Sequence, residues 1–239
     1  MKIVALIIGR GNNTLRNKNI LPVLNRPLLH WGGLAAKHSK WVNDFYISSD
    51  DDLILEAGRD IGYKSIKRPD YLAEPTSQSS DAVKHALKLI EEEIGDIDIM
   101  VLIHANVGTI KPSMIDDCIE ILMKEDYTAV IPSHYKNEYH PMRAKKVLDD
   151  GTLTNYVGGD DAIVSANRQD LDECVFFDHS FWVLSVSNGV KSVKGQYPWP
   201  VMGNRIFPYI TEGCFDVHEQ SDLARTEKWL IDNKIEYKE

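Results

Sequence analysis

Short apolar, β-branched runs alternate along this chain with stretches in which apolar positions recur every three or four residues. Residues 3 to 8, "IVALII", read as a buried strand bounded by a glycine-containing loop. "RPLLHWGGLAAKHS" reads as a helix with Pro27 in its first turn, and "WVNDFYISSDDD" as a strand running into an acidic loop. "DLILEAGRDIGY" gives a second helix ended by Gly62, and "SSDAVKHALKLIEEEI" a third with Ser79 or Ser80 as its cap. Then come the strand "IDIMVLIHANV", the helix "KPSMIDDCIEILMKE" and the strand "YTAVIPSHY". This alternation predicts an α/β fold, a mostly parallel sheet with helices on both faces.

From about 137 to 203 the pattern changes to short strands, turns and polar loops. It reads as a smaller insert that shapes an acceptor site or a dimer contact, within one domain spanning 1–239. An amphipathic helix, "DLARTEKWLIDNKIEY", closes the chain after a predicted strand "GCFDVHE".

Charge and cysteines narrow the function classes. A formal net charge of −9 argues against a general nucleic-acid binder, so the basic residues near the start form a local exception. Cys118, Cys174 and Cys214 are far apart and have no metal-ligand spacing, which supports neither a disulfide framework nor a zinc site. The opening apolar run is short for a signal peptide and no stretch reaches the length of a membrane span. The expectation is a soluble cytoplasmic protein with no nucleic-acid or membrane partner.

In such sheets ligands bind at the carboxyl ends of the strands. That edge collects the loop after Ile8, "SSDDD" after Ile47, "HAN" after Ile103 and "SHY" around the end of the next strand. In the first loop Gly9 and Gly11 allow close backbone approach, and Arg10, Arg16 and Lys18 supply donors suited to phosphate or carboxylate. With Asn12, Asn13 and Asn19 they form a candidate triphosphate seat. Neither the glycine-lysine-serine/threonine triplet nor the three-glycine dinucleotide fingerprint is present, and a solvated connecting loop would carry similar residues.

Further groups carry candidate chemistry. Asp216 and His218, two apart on the predicted strand, project together as a carboxylate and an imidazole suited to a metal, or else cap the last helix. Arg168, Gln169, Asp178 and His179 lie among aromatic residues and read as acceptor contacts or as polar groups satisfying one another. His104 and Asn106 follow a buried strand, a position suited to reading a base or ribose, although a lone histidine there is more often structural. Asp50 suits a metal or sugar, whereas Asp51 and Asp52 are explained by a helix start. Arg143 and Lys145 share one side of a strand, facing an anionic acceptor or solvent.

The order of these motifs resembles the acylneuraminate cytidylyltransferase family over nearly the whole chain. "IIGRGNNTLRNKNI" stands for the family's signature loop, "FYISSDDDLILEAG" for its strand, paired aspartates and helix, and "RPDYLAE", "NRQDL" and "DVHEQSDL" for later blocks. The resemblance implies a Rossmann-like nucleotidyltransferase fold with a dimerisation insert, and a homodimer. It also implies that Arg10, Lys18 and Asn19 contact the phosphates of CTP, and that Asp216 binds Mg2+, with Mn2+ as the alternative ion. Chemically it implies attack by an oxygen of an acidic, sialic acid-like sugar on the α-phosphate, with release of pyrophosphate.

This chain departs from the family pattern at several of these positions. Thr14 replaces a lysine, leaving Arg16 to supply that charge; His104 stands at a glutamine position; His218 stands at a second aspartate; and "DHSFW" replaces an asparagine-glycine pair. These departures predict a divergent member with its own acceptor. The alternatives are a transferase using another NTP with a sugar phosphate or phosphonate, and a non-catalytic nucleotide-sugar-binding protein.

Overall fold

The structure is a computed structural model and describes residues 1–11 and 13–237. Strand β1 (Ile3–Ile8) leads through the glycine loop to a two-residue hairpin, β2 (Pro22–Val23) and β3 (Arg26–Pro27), and into helix α1 (Leu28–Lys37). Next come β4 (Asp44–Ser49), α2 (Asp52–Asp60), β5 (Lys64–Lys67), α3 (Ser79–Ile94), β6 (Ile99–His104), α4 (Pro112–Lys124) and β7 (Ala129–Tyr135). The later elements are β8 (Lys145–Val147), β9 (Leu153–Asn155), β10 (Val175–Phe177), β11 (Phe181–Ser185), β12 (Ile206–Ile210) and α5 (Gln220–Asp232).

Eight strands form the main sheet. β5, β4, β1 and β6 run parallel side by side; β11 is antiparallel to both β6 and β7; β12 is parallel to β7. Ala129 of β7 pairs with both Leu184 and Ile206, and Ser133 with both Phe177 and Ile210, so β10 and β11 share one side of β7 and β12 takes the other. β10 and β11 are thus one antiparallel run, broken at 178–180.

The alternation of β1 explains the layers. Ile3, Ala5 and Ile7 pack with the buried faces of α1, α2, α4 and α5, while Val4, Leu6 and Ile8 pack with α3 and residues Val186, Val190, Val201 and Met202. Helices therefore cover both faces, as the hydrophobic pattern predicts. The β5 edge carries exposed Lys64 and Lys67, charges that discourage further strand pairing.

Local details differ from the sequence reading. Asp51 caps α2 by accepting from the amides of Leu53 and Ile54. At α3, however, Gln78 occupies the cap without a side-chain bond, and the Ser80 hydroxyl is buried without a partner. "GCFDVHE" is not a strand: only Asp216 bridges, to Val107, and the late strand lies upstream at β12. α5 starts instead from a reciprocal cap between Glu219 and Asp222. The stretch 137–203 divides, with an arm carrying the β8–β9 ribbon standing off the sheet while β10 and β11 return to it. No helix among the described residues is long and apolar enough to cross a membrane.

Candidate active site

The loop after β1 is held by its own polar groups. The Gly9 amide donates to the Ser48 carbonyl at 3.3 Å, and a Cβ on Gly9 would meet the Ala105 Cβ at 2.9 Å, so only glycine fits here without displacement. The Gly11 amide donates to Asp50 at 3.1 Å, which gives Asp50 a structural partner. Asn13 and the buried Asn19 both donate to the Arg10 carbonyl, at 2.5 and 3.1 Å. These two asparagines shape the turn and leave the Arg10 side chain to extend across a cleft, where it donates to the Glu74 carbonyl at 3.3 Å.

That cleft has a volume of about 410 Å³ and runs between the loop and the start of α3. Gly9, Arg10, Asn13, Lys18, Asn19, His104 and Asn106 all line it, so the structure brings most of the nucleotide candidates to one place. Asn12 lies outside the described residues. Arg16 is exposed and does not line the cleft, contrary to its expected role in replacing the missing loop lysine.

Arg68 is a cationic cleft residue that sequence reasoning missed, as it missed Glu74, Ser77 and Gln78 of the opposite wall. It follows β5 directly, is 6 % exposed, and donates to the Ser48 carbonyl at 2.8 Å and more weakly to the Ser48 hydroxyl at 3.4 Å. Burial pushes its pKa down, Asp50 opposing and Arg10 reinforcing the shift. A buried guanidinium stays charged and needs acceptors, and Ser48 supplies only neutral ones. An anionic or carbonyl-bearing ligand in the cleft would complete its coordination. The available signal was its place: an arginine directly after a strand, at the ligand-binding edge.

The chain returns to this edge near its end. The Val217 amide donates to the Asn106 carbonyl at 3.1 Å, the Asn106 side-chain amide donates to Asp216, and Lys18 Nζ donates to the Val217 carbonyl at 3.1 Å. His218 Nε2 lies 3.1 Å from the other Asp216 oxygen, so this carboxylate and imidazole do meet. Burial raises the Asp216 pKa, opposed by His218, Lys18 and His179. Burial lowers that of Lys18, with Asp216 opposing and Arg10 reinforcing. Each group therefore holds its charge in part through the other.

Among the described residues no group of three or more His, Cys, Asp or Glu side chains gathers to hold a metal. Asp216 offers a hard oxygen donor near Lys18, Asp50 lies near Arg68, and Glu74 lines the cleft. This donor set fits an ion that takes most of its ligands from bound phosphates and water, as Mg2+ does.

On the far side of the cleft the His104 amide donates to the Ser180 carbonyl at 3.0 Å. Its ring meets Trp182 edge-on at 4.7 Å and His179 at 5.9 Å, and its Nε2 is buried without a partner. Burial, aided by His179, brings its pKa down to about 3, so the ring is neutral. Burial also lowers the pKa of His179, against the pull of Asp216 and Asp178 and with a small push from His218. Asp178 is buried with both carboxylate oxygens engaged, by His134 and Thr211. Arg143, Arg168 and Gln169 are exposed on the arm and do not line the cleft of their own chain.

The sequence model described as cytidylyltransferase matches residues 4–171, and the chain belongs to the cytidylyltransferase family. It is 24 % identical over 226 residues to an N-acylneuraminate cytidylyltransferase of Oncorhynchus mykiss, covering 87 % of this chain and 51 % of that protein. It is 33 % identical over 89 residues, 37 % of this chain and 21 % of the relative, to the N-acylneuraminate cytidylyltransferase of Escherichia coli O18:K1:H7. The chain thus spans about half or less of the length of these relatives. The fold matches that of a CMP:2-keto-3-deoxy-manno-octonic acid synthetase solved with CTP, with a TM-score of 0.68, 12 % identity and coverage of 98 % of this chain and 100 % of that one. It also matches a 4-diphosphocytidyl-2C-methyl-D-erythritol synthase, with a TM-score of 0.65, 10 % identity and coverage of 96 % and 100 %.

Proposed function

We propose that this chain is a CTP-dependent transferase that joins CMP to an acidic, 3-deoxy-keto acid sugar or a similar small anionic acceptor and releases pyrophosphate. The observation that carries this reading is the convergence of Arg10, Lys18 and buried Arg68 on one cleft, beside Asp216, in a chain of the cytidylyltransferase family. Arg10 and Lys18 bind the β- and γ-phosphates and offset charge on the departing pyrophosphate. Arg68, deep in the cleft and already bonded to Ser48, reads an acceptor atom of the nucleotide. An acceptor hydroxyl oxygen forms the new bond to the α-phosphorus, the bond to the bridging oxygen breaks, and the hydroxyl proton passes to water.

Asp216 would hold Mg2+, or Mn2+ in its place, and the ion would supply positive charge to the phosphoryl oxygens. His218 steadies the Asp216 carboxylate and would not itself be a ligand, since imidazole is a poor ligand for Mg2+. The arm exposes Val147, Leu153, Tyr156 and Ile163, an apolar surface suited to a second copy of the chain, which supports a homodimer. Three unpaired cysteines suit a reducing cytoplasm.

The test is pyrophosphate release with each NTP against keto acid sugars, sugar phosphates and phosphonates. CTP with a keto acid sugar is the expected productive pair. Release only with another NTP would transfer the reading to a different transferase, and nucleotide binding without release for any pair would make this a binding protein.

A further inference from the structure

One wall of the nucleotide cleft is a segment that the fold holds loosely. Residues 69–78 join β5 to α3 and supply Leu72, Glu74, Pro75, Ser77 and Gln78 to the cleft lining. None of them belongs to either buried apolar cluster, or to the half-buried apolar residues packed against one. Their own hydrogen bonds are short-range. The amides of Leu72, Ala73 and Ser77 donate to carbonyls three residues back, at 3.0, 2.8 and 3.0 Å, and the Ser77 hydroxyl donates to the Tyr71 carbonyl at 2.8 Å. Tyr71, Glu74, Pro75, Thr76 and Gln78 are exposed. A segment with little buried apolar area and only local hydrogen bonds opens at low cost. Its flanks are firm by contrast: the Arg68 amide donates to the Ser49 carbonyl at 2.8 Å, and α3 packs Val83, Ala86 and Ile90 into the core.

A single bond crosses the cleft to this segment. Among the described residues, its only hydrogen bond to a part of the chain distant in sequence comes from Arg10 Nη1, which donates to the Glu74 carbonyl at 3.3 Å. The Arg10 carbonyl is held by Asn13 and Asn19, so the backbone is fixed and the side chain alone spans the gap. In the empty cleft this contact is weak, because it is long, open to water and orders a side chain with several rotatable bonds. A guanidinium carries several N–H donors, and the one at Glu74 leaves the others for a phosphate. Anionic oxygens that fix the guanidinium meet its ordering cost beforehand, and the bond to Glu74 then forms more fully.

We infer that residues 69–78 close over the bound nucleotide as a strap, and that Arg10 is the link that makes closure depend on the triphosphate. The inference rests on the assignment of Arg10 to the β- and γ-phosphates above. Phosphate charge at the β1 loop thereby encloses the nucleotide, and by reciprocity a closed strap tightens the hold on the triphosphate. When pyrophosphate leaves, Arg10 loses its anchor and the strap loosens for the second product to depart.

Inorganic pyrophosphate is the probe, because it occupies the loop without filling the rest of the cleft. Amide hydrogen exchange of the peptide 69–78 is followed by mass spectrometry in the parent and in Arg10→Ala, with and without pyrophosphate at concentrations that saturate each protein by calorimetry. In the parent, pyrophosphate should slow exchange of the bonded amides about threefold to tenfold, the worth of one hydrogen bond. In Arg10→Ala it should leave their exchange unchanged. Pro69→Gly gives a second reading that needs no saturated variant. Pro69 lines no part of the cleft, and added backbone freedom at the start of the strap should weaken pyrophosphate binding about twofold to fourfold. Unchanged or faster strap exchange in the pyrophosphate-bound parent, equal slowing in Arg10→Ala, or parent-like pyrophosphate affinity in Pro69→Gly overturns the inference and leaves the transferase reading standing. A parent that binds neither pyrophosphate nor CTP overturns both.

Discussion

The side-chain amide of Asn106 donates to the carboxylate of Asp216, joining the end of β6 to a segment 110 residues later. This bond sets the direction of a carboxylate whose charge acts on Lys18. Asp216→Ala should therefore abolish pyrophosphate release in both Mg2+ and Mn2+, whereas Asn106→Ala should lower kcat about tenfold through misorientation of a retained carboxylate. His218→Asp should keep or increase activity in Mg2+, because a carboxylate is the harder ligand. Full activity of Asp216→Ala in Mg2+ would sink the metal assignment.

Nucleotide affinity should depend on the three cleft cations. Loss of one charge-assisted hydrogen bond is worth about 1.5 to 3 kcal/mol, so Arg10→Ala, Lys18→Ala and Arg68→Ala should each weaken CTP binding about tenfold to a hundredfold or more by calorimetry. Arg68→Lys should not restore it, since an ammonium cannot both bond the Ser48 carbonyl and present a second fixed donor to the ligand. Arg16→Ala, exposed and outside the cleft, should bind CTP as the parent does.

Gly9→Ala should act through the loop's shape. The new Cβ would lie 2.9 Å from the Ala105 Cβ and 3.1 Å from Asn19 Nδ2, and Asn19 is itself bonded to the Arg10 carbonyl. Overpacking of this kind costs about 1 to 3 kcal/mol. The expected outcome is a lower melting temperature together with weaker CTP binding; a change in neither would show that the loop yields freely.

His104 should leave a signature in acid. Its pKa is near 3 in the folded protein and near the ordinary histidine value of about 6.5 in the unfolded chain. Between those values the unfolded chain binds a proton that the folded protein does not, so this group's contribution to stability is present above about pH 6.5 and fades as pH falls toward 3. Raised Asp216 acts in the opposite sense. Thermal melts from pH 7 to 4 should therefore fall less steeply for His104→Gln than for the parent, and parallel curves would contradict a buried neutral ring.

The arm offers a separate measurement. Ile163 and Leu153 are exposed at 101 % and 62 %, and a charge at either position cannot harm a core it does not join. Ile163→Asp with Leu153→Asp should convert a dimer to a monomer in sedimentation without lowering the melting temperature of the monomer. A double variant that sediments as the parent does would remove the arm from the interface.

What the sequence determined by itself is local. The alternation in Ile3–Ile8, the helical spacing in Ser79–Ile94 and the Asp51 cap depend on neighbours a few residues away, and they already imply a parallel sheet with a ligand edge. The glycine and cations of the first loop were legible for the same reason, as was the pairing of Asp216 with His218. Tertiary structure decided the rest. "GCFDVHE" has strand-like spacing, but its amides found partners at Asn106, Thr109 and Asp222 in place of a full neighbouring strand. Arg68 became a cleft residue because Ser48, on the adjacent strand, accepts its guanidinium and burial removes its water. Asp178 resembled an acceptor contact until packing placed His134 and Thr211, 44 and 33 residues away, on its two oxygens. Periodicity records which face of an element is apolar; the partner a buried polar group receives depends on which distant strands become neighbours, and hydrogen-bond satisfaction then decides whether that group belongs to the fold or to the ligand.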